Sequence, residues 1–136
     1  MKTKIFGFVL SATLTTLSMQ LWAHHGTNAS YDMSKTVTVK GTVTEFRWTN
    51  PHCAILLDVK DENGNVVSWA AETHPPAMLR AGGWTKDTLK PGDQVTLTLN
   101  PSKAGTPVGV VFAIVLPDGK KQSRGEMMGQ GQGNGQ

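Results

Sequence analysis

From Thr36 to Val43 the chain alternates, with Val37, Val39, Gly41 and Val43 on one side and Thr36, Thr38, Lys40 and Thr42 on the other. A period of two marks a half-buried β-strand. Near Glu45 the phase slips and Phe46 and Trp48 take over the apolar positions, which predicts a bulge of the kind that bends a strand into a small barrel. Asn50-Pro51 then breaks the run, because proline fixes φ and carries no N–H. A second strand follows, with Cys53, Ile55, Leu57 and Val59 on one face and His52, Ala54, Leu56 and Asp58 on the other. Asn63-Gly64, inside Asp61-Glu62-Asn63-Gly64-Asn65, is a hairpin signal. Val66 to Thr73 returns as a third strand that sets Val67, Trp69 and Ala71 on one side.

Pro75 to Ala81 reads as a short helix, since prolines suit a first turn and Gly82-Gly83 suits a stop. Lys90-Pro91-Gly92-Asp93 has the residue order of a type II turn. Val95, Leu97 and Leu99 alternate with Gln94, Thr96, Thr98 and Asn100 in a fourth strand. In a fifth, Val108, Val110, Phe112, Ile114 and Leu116 are expected to line the core, and Pro117-Asp118-Gly119 ends it. Residues 120–136 are rich in Gly and Gln and are expected to be a disordered tail, with too little apolar surface to offset ordering entropy. Five strands with one helix between the third and fourth is the element order of an OB-fold, a small, partly open barrel. The alternative, a two-sheet sandwich, usually needs about seven strands. The domain is expected to span residues 36–119, preceded by a polar N-terminal arm, residues 24–35.

The first residues change the picture of where the chain acts. Lys2 and Lys4 precede an apolar run from Ile5 to Leu17 that is too short to cross a bilayer, and Leu21-Trp22-Ala23 offers a cleavage site. Residues 1–23 therefore read as a signal peptide cut after Ala23, giving a periplasmic protein without a transmembrane anchor. The alternative, an uncleaved anchor, is disfavoured by the short, Thr-rich run. Cutting removes Lys2 and Lys4, so 13 Lys and Arg become 11 against 10 Asp and Glu. A near-neutral chain lacks the concentrated basic surface that grips phosphates, so nucleic acid is not expected as a partner. Cys53 is the sole cysteine, so no intrachain disulfide can form. Two readings stand for it: a small buried hydrophobe or a metal ligand.

Several short motifs belong together: His24-His25 after the signal, Tyr31-Asp32, Gly41-Thr42-Val43, Trp48-Thr49-Asn50-Pro51-His52 and Asp58-Val59-Lys60-Asp61, followed by Gly82-Gly83-Trp84, Leu89-Lys90-Pro91-Gly92-Asp93 and Leu116-Pro117-Asp118-Gly119. Each is weak alone; together they are specific. Over residues 23–119 the chain resembles a family of small exported bacterial proteins classed as a domain of unknown function. The resemblance implies an exported, single-domain, OB-like β-barrel and carries over no activity. Cys53 lies outside the family pattern, which counts against a shared role for its thiol.

Chemistry concentrates in two places. Cleavage after Ala23 makes His24 the new N-terminus, with an α-amine and an imidazole on one residue and a second imidazole on His25. Such a residue chelates Cu(II), because it supplies two nitrogen ligands of the softness copper prefers. His52 is the third candidate ligand if the arm folds back, and His74, at the far end of the third strand, is a poorer one. The bland alternative is a frayed terminus with His52 at a strand end. The other place is the corner Phe46-Arg47-Trp48, a candidate ligand or partner surface; with Trp69 and Trp84 it has the makings of a stacking platform, against the commoner use of aromatics in packing. Met127 and Met128 offer thioethers in the tail, with solvated linker as the plainer reading. No nucleophile motif or phosphate loop occurs, and His52 and Cys53 point to opposite strand faces. Glu45, Asp58 and Glu72 are a carboxylate set only if the fold juxtaposes them. The expectation is a non-catalytic binding protein for copper or a similar transition metal. Its rival is a metal-free interaction module that serves a periplasmic or membrane protein through a sheet edge or the aromatic corner.

Overall fold

The computed structural model describes residues 30–131. The elements run β1 (Val37–Arg47), β2 (Ala54–Lys60), β3 (Val66–Glu72), α1 (Pro76–Ala81), β4 (Gln94–Pro101), β5 (Val108–Val115), β6 (Lys121–Ser123) and α2 (Arg124–Met127). The strand order is β3-β2-β1-β4-β5-β6, and β3 also pairs with β5. That pairing is parallel, joining Ala70, Ala71 and Glu72 to Val108, Gly109 and Val110. It makes the OB-like barrel of β1–β5 closed, where a partly open one was expected. The closing seam is three residue pairs wide.

The slip foreseen near Glu45 is present: the β1–β2 register jumps between Val43 and Glu45, leaving Thr44 unpaired. The extra residue lets Val43 and Phe46 both face inward along a bent strand. Gly41 in β1 comes so close to the Asp58 carbonyl of β2 that a Cβ would collide with it. The β2–β3 hairpin turns on a loop in which Gly64 has φ +80° and the Asp61 carboxylate accepts the Asn63 and Asn65 N–H groups at 2.8 Å each. The core is drawn from the faces that alternation assigned to β1, β2 and β4, including Val43, Ile55, Leu57, Val95, Leu97 and Leu99.

In β5 the assignment fails at Phe112. Leu99 pairs with Val111 and Thr98 with Ala113, so Phe112 is an extra residue and lies 51% exposed. Val111 is buried in its place, beside Val110 and Ile114, which are buried as expected. A bulge reverses the parity of everything beyond it, and strict alternation across Val108–Leu116 cannot register that.

One end of the barrel is stoppered. Pro76 begins α1, and the helix closes in a Schellman arrangement in which the Trp84 N–H reaches the Leu79 carbonyl at 2.9 Å and the Gly83 N–H reaches Arg80 at 3.0 Å. Gly83 takes φ +84°, which glycine tolerates best. Leu79 and Trp84 are thereby driven into the end of the core beside Cys53 and Leu89.

The C-terminal segment completes the stopper, contrary to the expected disorder from residue 120. β6 pairs with β5 through Lys121, Gln122 and Ser123, and Ser123 and Glu126 form a reciprocal capping box that starts α2. The buried Trp84 indole N–H donates to Gln122 at 2.9 Å, and Met127 is completely buried. The physical reason is two tertiary anchors, helped by a local cap, which together order a segment whose average composition is that of a linker. This correction covers residues 121–131; 132–136 lie outside the described residues. At the N-terminal side Tyr31 bridges to Ser102, the Asp32 N–H reaches Pro101 at 2.9 Å, and the Asn100 amide reaches the Lys35 carbonyl at 2.8 Å. The part of the arm from Ser30 to Lys35 is therefore docked along β4.

Candidate functional site

The β2–β3 ladder continues beyond its strands. The Cys53 N–H donates to the His74 carbonyl at 3.0 Å and the Thr73 N–H to the Cys53 carbonyl at 2.9 Å. Cys53 and Thr73 consequently face the core, while His52 and His74 emerge on the outer face near each other, with Glu72 two residues before His74. Asn50-Pro51, a cis peptide, precedes this corner. α2 folds across from the other side, so that His52, Glu72, Thr73, His74, Met78, Arg124 and Met128 line one cavity of about 430 Å³. It lies outside the barrel wall, at the stoppered end.

The His74 Nε2 lies 3.2 Å from the Arg124 carbonyl. A carbonyl only accepts, so Nε2 carries the hydrogen and Nδ1 keeps its lone pair in the neutral ring. Burial holds the His74 pKa below the usual imidazole range, with the charges of Arg124 and His52 acting the same way against the Arg124 hydrogen bond. Burial likewise lowers the Arg124 pKa, and among the described residues Arg124 has no carboxylate in ion-pair range. The Thr73 hydroxyl, on a residue only 8% exposed, has no hydrogen-bond partner among the described residues. Tyr31 sits beside Glu72; burial first, then the Glu72 charge and hydrogen bond, push its phenol up to about 12. Glu72 thus ties the docked arm to the cavity wall.

His24 and His25 lie outside the described residues, so the structure brings only His52, of the three expected ligands, to this cavity. Among the described residues, no three His, Cys, Asp or Glu side chains gather into a ready-made metal cluster. Cys53 is fully buried, with its thiol pushed up by desolvation, and belongs to the core. His74 enters the site, although its place at the far end of β3 counted against it. The signal was available in strand parity: residues facing each other across a hairpin ladder have a constant index sum, and Ala54 opposite Glu72 carries His52 to His74.

At the aromatic corner Phe46 and Trp48 are half-buried and Arg47 is exposed. Phe46 meets Trp48 and Trp84 edge to face at 5.7 and 5.9 Å, and the Arg80 guanidinium lies 5.5 Å from the Trp48 ring centre. Arg47 is paired with Glu45 at 2.9 Å. Trp69 lies at the opposite barrel end, lining a separate hollow of about 590 Å³ with Val39, Val59 and Val67. The four aromatics therefore form no common platform. Nor do the carboxylates gather: Glu45 holds Arg47, Asp58 accepts from Ser68 at 2.9 Å, and Glu72 faces Tyr31. Of the tail methionines, Met127 is core and Met128 lines the cavity.

A closed five-stranded barrel with a polar, imidazole-bearing recess outside its stoppered end defines a small OB-type β-barrel protein. The chain belongs to a family of unknown function, DUF6152, whose model matches residues 12–111. No curated protein matches it. Among solved structures it is similar to a complex of TiaS with an isoleucine tRNA and ATP at 16% identity and TM-score 0.40, covering 60% of this chain and 18% of that one. It is also similar to a ZRD-deleted mutant of TiaS in complex with agmatine at 15% identity and TM-score 0.39, covering 60% and 21%. The chain spans about a fifth of the length of those proteins, and likeness at that level carries no argument about function. Among the described residues no helix is long and apolar enough to cross a membrane.

Proposed function

We propose that the chain is exported, loses residues 1–23, and acts in the periplasm as a small non-catalytic protein that binds copper or a similar transition metal. The ligands are the amine and imidazole of His24, with His25 and His52. One observation carries the reading: the chain leading back to His24 is pinned beside the recess that holds His52. The Lys103 N–H donates to the Ser30 carbonyl at 3.0 Å, Tyr31 is bridged to Ser102, and Tyr31 lies against Glu72, which lines the recess. Four residues separate His25 from Ser30, a length that spans up to roughly 15 Å when extended at about 3.5 Å per residue. The proposed site uses that tether to carry the N-terminal imidazoles to His52. The donor set fits the metal, since amine and imidazole nitrogens suit Cu(II).

Calorimetry on the mature chain tests the reading. Cu(II) should bind stoichiometrically, and one extra residue ahead of His24 should weaken binding by removing the amine chelate. Equal affinity in the two forms would take the amine out of the site. The rival interaction module has less edge to work with than an open barrel would offer. β1, β2 and β4 are paired on both sides, which leaves the three-residue β6 and the first half of β3.

A further inference from the structure

We infer that His74 is a metal ligand, and that the barrel's own half of the site is the His52–His74 pair. The inference rests on the proposed metal-binding function and extends it to a residue that the sequence had set aside. Three features of His74 carry it. It lines the same recess as His52. Its ring is partly withdrawn from solvent, and the ladder bond from Cys53 to its carbonyl fixes its backbone. Its Nε2–H is committed to the Arg124 carbonyl at 3.2 Å.

That last contact is the arrangement metal-bound imidazoles use. One ring nitrogen donates to a carbonyl or carboxylate, which sets the tautomer and ring orientation and leaves the other nitrogen's lone pair for the metal. In this chain α2 supplies the carbonyl, so the capping box of Ser123 and Glu126 holds the outer support of the site in place. Electrostatics permit a cation there: the lining carries one carboxylate, Glu72, against one guanidinium, Arg124.

The experiment uses the mature chain titrated with Cu(II) alone, followed by calorimetry and by electron paramagnetic resonance, whose nitrogen hyperfine structure reports the equatorial ligands. His74→Gln is the informative variant: its amide N–H can replace Nε2–H toward the Arg124 carbonyl, but it offers no counterpart of the Nδ1 lone pair. It should retain the wild-type unfolding transition, lose one nitrogen from the spectrum and bind copper roughly 10–100-fold more weakly, at least the loss that follows removal of an imidazole's supporting partner. Wild-type affinity and spectrum in His74→Gln would overturn the inference. The two proposals fail separately. An N-terminal extension that weakens binding beside a silent His74→Gln keeps the amine chelate and discards His74. A silent extension beside a weakened His74→Gln does the reverse, and a wild-type chain that binds no copper discards both.

Discussion

Met127→Ala removes a side chain with no solvent exposure from the stoppered end of the barrel. Truncating a buried methionine to alanine costs about 2–5 kcal/mol, with the value set by how far the surroundings collapse into the gap. Collapse is restricted here. The Met127 carbonyl already lies against Gly82, where even a Cβ would overlap it, and the reciprocal cap fixes the start of α2. A loss of about 3 kcal/mol is expected, which for a domain of this size lowers Tm by roughly 12–20 °C. Urea unfolding followed by tryptophan fluorescence reads it directly, with the midpoint falling and the slope unchanged. Met33→Ala is the control, because Met33 is 38% exposed and its truncation belongs with surface changes of about 0.5 kcal/mol or less. If Met127→Ala behaved like Met33→Ala, the C-terminal segment would not be part of the core, and the support it gives His74 would go with it.

Two further outcomes follow from titratable groups. Tyr31, the sole tyrosine, should ionise in the folded protein near its raised value of about 12, against an ordinary 10.0, when followed by phenolate absorbance. Its folded pKa lies above its unfolded one, so the stability it contributes is complete below about pH 10 and is lost as pH rises toward 12. Glu72→Gln should move the midpoint down, and a wild-type midpoint near 10 would separate the arm from the cavity wall. Cys53, buried and with its thiol pushed up by desolvation, should resist a thiol reagent at mildly alkaline pH in the native state and react at once in urea. Prompt native labelling would contradict its place in the core.

Much of the barrel was readable because the deciding signals are local. The Thr44 slip in β1, the hairpin at Asn63-Gly64, the turn at Pro91-Gly92 and the Leu79 helix each depend on neighbours within a few residues. Three features depend on distant contacts, and only the last left a signal in strand parity. Phe112 faces outward because β4 and β5 lose register opposite Leu99. Residues 121–131 are ordered because Trp84 needs an acceptor and finds Gln122, although the capping-box spacing of Ser123 and Glu126 was a local hint. His74 joins His52 only after β2 and β3 are laid side by side, and its fixed tautomer needs α2 as well.

The order in which the strands pair has a consequence for how the chain can travel. β1 lies between β2 and β4, β3 finds its second neighbour only in β5, and the end of the cylinder is sealed by residues past 120. A fragment ending at β3 can pair β2 on both sides but leaves β1 without β4 and β3 without β5, so the barrel cannot close until β5 has been made. Pairings between remote segments also form slowly. For a polypeptide threaded through a membrane before it folds, as the proposed export requires, that delay is an asset: the residues that seal the cylinder follow the strands they lock.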